Sequence, residues 1–164
     1  MAMGAIMATA IPLTKINLFK MNKQELKEYA KSFCKEEEKI PQVRTLDKSA
    51  HSSTGANTAS RHAKGGISWI DYYRAFTNPE CEVFRCAACG KSISINPDIL
   101  EMNDDVEDAE GGHILFLSKD TQDIDLGYYI VPLCPNCNNP SKPFLTLTSG
   151  TIAVEEIGAT LVNN

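Results

Sequence analysis

Cys86-Ala87-Ala88-Cys89-Gly90 and Val131-Pro132-Leu133-Cys134-Pro135-Asn136-Cys137-Asn138 are the two stretches around which the rest of the chain is read. Each holds a Cys-x-x-Cys pair. Two thiolates three residues apart can reach one tetrahedral ion, and Gly90 lets the backbone turn tightly around the sulfurs. Four thiolates at about 2.3 Å close a structural zinc site with no open coordination position. A redox pair of the thioredoxin kind would instead sit beside a βαβ pattern, and none is visible. Cys86, Cys89, Cys134 and Cys137 are therefore the candidate metal ligands. Cys81 and His113 stand as alternative ligands.

Working outward from the first pair, Glu82-Val83-Phe84-Arg85 leads into Cys86 as a β-type run. Residues 93–95, 113–117, 128–133, 144–147 and 151–154 are further short β-type runs. The acidic segment 98–110 lacks the residue order of a calcium loop and reads as a solvated surface loop. Upstream, Ser68 caps a helix with Asp71 three residues on, and Trp69, Tyr72, Tyr73 and Phe76 crowd one side. That aromatic cluster reads as the lid of a small domain; stacking on nucleic-acid bases is the rival reading. Further upstream, Asn22 and Glu25 form a capping box, and Met21 and Leu26 can staple it. Leu26, Tyr29, Ala30, Phe33 and Cys34 repeat at helical spacing until Pro41, so a helix of about 18 residues is predicted. Cys34 lies on its apolar stripe and reads as buried.

Between the helices, residues 42–66 are dominated by Ser, Thr, Ala, Asn and Gly, and carry Arg44, Lys48, Arg61 and Lys64. Such composition buries too little to offset its ordering entropy, so a mobile linker or arm is expected. Its four cations are the candidate contacts to nucleic acid. The division is a tail and helix over 1–40, a flexible basic linker over 41–67, and a zinc-binding part over 68–164.

Charge is uneven along the chain. Residues 15–74 hold twelve Lys and Arg against seven acids, while residues 75–164 hold four against fourteen. The second part repels polyanions on average, and the first attracts them. Six cysteines with four in metal-type pairs imply a reducing compartment, so a cytoplasmic location is expected. No run of ~18 apolar residues exists to span a membrane. The opening Met1–Ala10 lacks the basic residues of a secretory signal and reads as a frayed tail.

The 44 residues between the pairs exceed simple zinc-ribbon spacing. They fit a knuckle, a β-hairpin, and a second pair at the start of a helix or turn, the treble-clef arrangement. The fold class expected is α+β: a small treble-clef, zinc-stabilised β-hairpin domain with an N-terminal amphipathic helix.

Cys86-x-x-Cys89, Gly112-His113-Ile114 and Pro132-Leu133-Cys134-Pro135-Asn136-Cys137-Asn138 together resemble the zinc-stabilised branch of the HNH endonuclease family, over roughly residues 81–142. With Trp69-Ile70-Asp71-Tyr72-Tyr73 and Pro143-Phe144 added, the chain also resembles small uncharacterised bacterial proteins with Gly-Gly-His and Pro-Leu-Cys-x-x-Cys-Asn elements. The resemblance implies that His113 is a general base and that Asn138 binds a catalytic Mg²⁺, in which case the chain is a toxin-like or phage-defence nuclease. Against this, Gly112 stands at a metal-ligand position and has no side chain. Tyr128 and Tyr129 stand where the middle Asn of the motif falls. The expected function is therefore an HNH-like module that binds nucleic acid or a protein without catalysis. The rivals are the nuclease and a purely structural zinc-stapled scaffold.

Overall fold

Of the residues that the computed structural model describes (21–54, 62–117 and 127–157), the first to form an element are those of helix α1, Lys23–Glu37. Its capping box is complete. Asn22 Oδ1 accepts from the Glu25 N–H at 2.9 Å, and the Asn22 N–H donates to Glu25 Oε2 at 3.0 Å. The helix stops at Glu38, which takes a left-handed backbone with φ 54°, three residues short of Pro41. Leu26 and Phe33 are buried, and Tyr29 and Cys34 are partly so. Burial raises the Cys34 thiol pKa.

Helix α2, Trp69–Phe76, starts where Ser68 Oγ accepts from the Asp71 N–H at 3.2 Å. All six residues from Trp69 to Arg74 are buried. Its tyrosines reach past the apolar contact to the backbone of the last strand: Tyr72 Oη donates to Glu155 O at 2.7 Å and Tyr73 Oη to Ile152 O at 3.1 Å. The aromatic cluster is thus a lid, and its rings are not available to stack on bases.

Among the described residues nine strands follow one another as β1 Val43–Thr45, β2 Ala50–Thr54, β3 Val83–Arg85, β4 Ser92–Ser94, β5 Glu107–Asp108, β6 Glu110–Phe116, β7 Tyr129–Leu133, β8 Phe144–Leu147 and β9 Ile152–Glu155. Helix α3, Pro97–Met102, lies between β4 and β5. Six strands form one antiparallel sheet in the order β1-β9-β7-β6-β2-β8. The others form a small sheet, β3-β4-β5, whose β4–β5 pair is parallel.

The large sheet cannot be flat. β1 and β2 sit four positions apart in it, which at ~4.8 Å per position is ~19 Å. Only Leu46–Ser49 joins them, a chain that even fully stretched spans about 17 Å, and it contains a bend. The same mismatch holds for β8 and β9, joined by Thr148–Thr151. The two links therefore meet: Leu46 N–H donates to Thr151 O at 2.9 Å, and Gly150 N–H to Leu46 O at 2.7 Å. The sheet curls into an incomplete barrel. Ile114, Phe116, Tyr129, Val131, Ala153 and Leu147 line its concave face, and α2 covers the convex face over β6, β7 and β9.

Three expectations are corrected here. Residues 43–45 and 50–54 are strands of the large sheet, not a structureless arm. Their small side chains fit because Ala50 and Ser52 lie inside the curl, where bulk is unwelcome, and pairing to β6 and β8 supplies what their own composition lacks. Segment 98–110 is not a plain loop; Asn96 caps α3 with Pro97 in its first turn, and Glu107–Asp108 pair with β4. Among the described residues no helix follows Cys137 as a treble clef requires. Residues 135–142 are turns that pass directly into β8.

Candidate metal centre

Cys86 ends β3, and the chain reverses at once. Gly90 N–H donates to Cys86 O at 2.8 Å and Cys86 N–H to Lys91 O at 2.8 Å, with Gly90 at φ 78°. That left-handed angle is the physical reason for glycine there. The second pair repeats the device at the end of β7: the N–H groups of Cys137 and Asn138 both donate to Cys134 O, at 3.1 and 2.9 Å. Ala87 locks the two knuckles together. Its N–H donates to Pro132 O at 2.9 Å, and its carbonyl accepts from Thr148 N–H at 2.9 Å.

The four Sγ atoms consequently lie within 4.8 Å of one another. Cys89 Sγ stands 3.8 Å from Cys134 Sγ, far beyond a disulfide. It matches the ~3.8 Å edge of a tetrahedron whose centre lies ~2.3 Å from each sulfur. Cys86, Cys134 and Cys137 are buried, and Cys89 is exposed. Burial pushes the Cys86 thiol up, but backbone hydrogen bonds at Cys89, Cys134 and Ala88 outweigh it and bring the thiol down to about 7. Burial, joined by the neighbouring sulfurs, raises the Cys134 and Cys137 thiols. The cluster thus holds one thiol shifted down and two shifted up by burial and their neighbours, a donor set that a divalent cation would relieve. Cys81 takes no part. Its Sγ donates to Val83 O at 3.0 Å, and neither it nor His113 belongs to the sulfur group.

His113 lies on β6 and is buried. Its ring stands edge-on to Trp69 at 4.3 Å between centroids, and Nε2 approaches Glu156 Oε2 to 2.9 Å without the alignment of a hydrogen bond. Asn138 is engaged elsewhere: its Nδ2 donates to Glu110 Oε2 at 2.8 Å. Strand alternation separates the two. Gly111 and His113 face α2, whereas Glu110 and Gly112 face Leu133 and Asn138. The sheet itself lies between His113 and Asn138.

Of the four basic candidates, Arg61 lies outside the described residues. Arg44 turns onto the concave face, with its guanidinium 5.3 Å from the Phe116 ring centroid and 5.4 Å from that of Tyr129. Lys48 is exposed between β1 and β2, and Lys64 pairs with Glu36 Oε2 at 2.9 Å. They do not line up as a stripe.

Two important side chains escaped the sequence reading. Glu156 meets His113, and nothing in its flanks marks it. Arg74 is wholly buried and gathers Asp71 Oδ1 (2.8 Å) with the carbonyls of Met21, Pro79 and Cys81, tying α1, α2 and the approach to β3 into one unit. An Asp and an Arg three apart on a capped helix were the available signal. No family model, curated protein or solved structure matches this chain.

Proposed function

We propose that the chain is a zinc-stapled binding module without nuclease activity. The observation that carries this reading is the separation of His113 from Asn138 by the sheet. Hydrolysis of a phosphodiester by this kind of centre needs a base and a metal-bound oxygen converging on one phosphate. His113 is instead packed under Trp69 beside Glu156, and Asn138 stitches the second knuckle to β6 through Glu110.

Zinc fits the four-sulfur donor set better than the harder divalent ions, which prefer oxygen. Bound there, it has no open position and acts as a staple between β3–β4 and the β7–β8 turn. The target is better read as a protein or small molecule than as a polyanion. Lys64 is paired with Glu36, Arg44 turns inward onto the concave face, and residues 75–164 carry fourteen acids against four bases.

Two measurements test the reading. Supercoiled plasmid incubated with the zinc-loaded protein and Mg²⁺ or Mn²⁺ is expected to stay unnicked. Divalent-dependent nicking that disappears in both His113→Ala and Asn138→Ala overturns it. Anisotropy of a labelled oligonucleotide is expected to show no salt-dependent binding, and a steep salt slope would restore nucleic acid as the target.

A further inference from the structure

We infer that the concave face of the barrel carries a binding site for a small ligand bearing an oxyanion, a carboxylate or a phosphate, anchored by Arg44. This deepens the binding role proposed above and rests on it.

By strand alternation and register, Arg44 is the one cation on the concave face among the described residues. A charge placed against an apolar interior is costly unless it is paired, and no carboxylate pairs with this one. Glu155, on the same face, is occupied by Lys39 Nζ at 3.4 Å and the Gln42 N–H at 3.1 Å. Arg44 is held by the rings of Phe116 and Tyr129. These ring contacts use none of the five guanidinium N–H donors in a hydrogen bond, and those donors form the fork that matches a planar or tetrahedral oxyanion. Arg44 is only partly buried, so a ligand can reach it.

A second polar group on the same face is also uncommitted. Ser52 Oγ is fully buried and has no hydrogen-bond partner, and Ser52 stands opposite Phe116 in the β2–β6 ladder. A buried hydroxyl without a protein partner is uncommon in a native core, and it is a group that a polar ligand on this face can satisfy.

The setting limits the visitor. A curl of six short strands holds one small ligand at most. The acidic surface of residues 75–164 disfavours a long polyanion. A small molecule with one or two negative charges fits both limits.

The test uses the full chain with its zinc. The Arg44 side-chain Nε–Hε signal and the Ser52 amide are followed by NMR while inorganic phosphate, acetate or adenosine monophosphate is added, each at constant ionic strength. Saturable shifts at both positions are expected with at least one of the three probes, and the probe that binds tightest tells phosphate from carboxylate. Arg44→Lys keeps the charge and loses the fork, so affinity should fall about tenfold or more. Ser52→Ala should weaken binding several-fold while leaving the fold intact.

Shifts that are absent with all three probes, or unchanged in Arg44→Lys, overturn the inference. Shifts that follow only ionic strength across all surface cations overturn it as well. Saturable binding of a single-stranded oligonucleotide with loss at Arg44 would do so too, by making the site a polymer contact. Retained near-ultraviolet dichroism shows that a variant is folded; should Arg44→Lys fail that control, Ser52→Ala decides. Failure here leaves plasmid and oligonucleotide results untouched, so the loss of this site and the loss of the binding-module reading are separable.

Discussion

At the scale of single residues, Gly111 and Gly112 separate two kinds of constraint. A Cβ on Gly111 would lie 2.4 Å from the Trp69 carbonyl carbon and 2.5 Å from Ile70 N, both backbone atoms of the lid. On Gly112 it would meet the end of the Leu133 side chain at 2.3 Å, and a side chain can turn away. Gly111→Ala is expected to cost about 3 kcal/mol or more, whereas Gly112→Ala should cost about 1 kcal/mol. Urea unfolding of the two variants checks this, and equal losses would mean that α2 is free to shift. The four-cysteine cluster was legible because two Cys-x-x-Cys pairs are a chemical pattern written in adjacent residues. The role of His113 was not, since it depends on Trp69 and Glu156, which are brought up by other parts of the chain.

Elements were readable where their cause is local. The N-caps and apolar spacing of α1 and α2 are local to each helix, and both form close to where their residues place them. β1 and β2 were missed because Val43-Arg44-Thr45 and Ala50–Thr54 owe their strand state to partners far along the chain, β9 in one case and β6 and β8 in the other. The second knuckle was legible as half of a cysteine cluster yet not as a turn, since a Cys-x-x-Cys pair serves equally at the mouth of a helix. The revised reading has a direct consequence for protease access. A protease needs several residues of extended, unpaired backbone, so trypsin should not cut after Arg44 or Lys48 while the sheet is intact. Mass analysis of an early tryptic digest measures it. Rapid release of a fragment ending at Lys48 would mean that the two strands leave the sheet easily.

For the molecule as a whole, the backbone of Ala87 joins the small sheet to the large one by hydrogen bonds to Pro132 and Thr148. Native mass spectrometry is expected to find one zinc per chain. Because metal binding and folding are coupled in such sites, on the order of 10 kcal/mol in zinc-finger peptides, a strong chelator and Cys134→Ser should each cause cooperative loss of structure over residues 81–148. A folded protein that keeps its near-ultraviolet dichroism with no metal bound would reduce the cluster to four ordinary core thiols. The order of strands in the barrel also sets a timetable. Val43 pairs with Val154, and β9 separates β1 from β7, so the strand that joins the first to the rest is the last one in the sequence. During synthesis β1 can have no neighbour until nearly all of the described chain has emerged, and both Cys-x-x-Cys knuckles have emerged before the sheet can close. Folding that awaits so distant a pairing is slow for a chain of this size, and the hairpins that carry the knuckles are then the scaffold on which the barrel is completed.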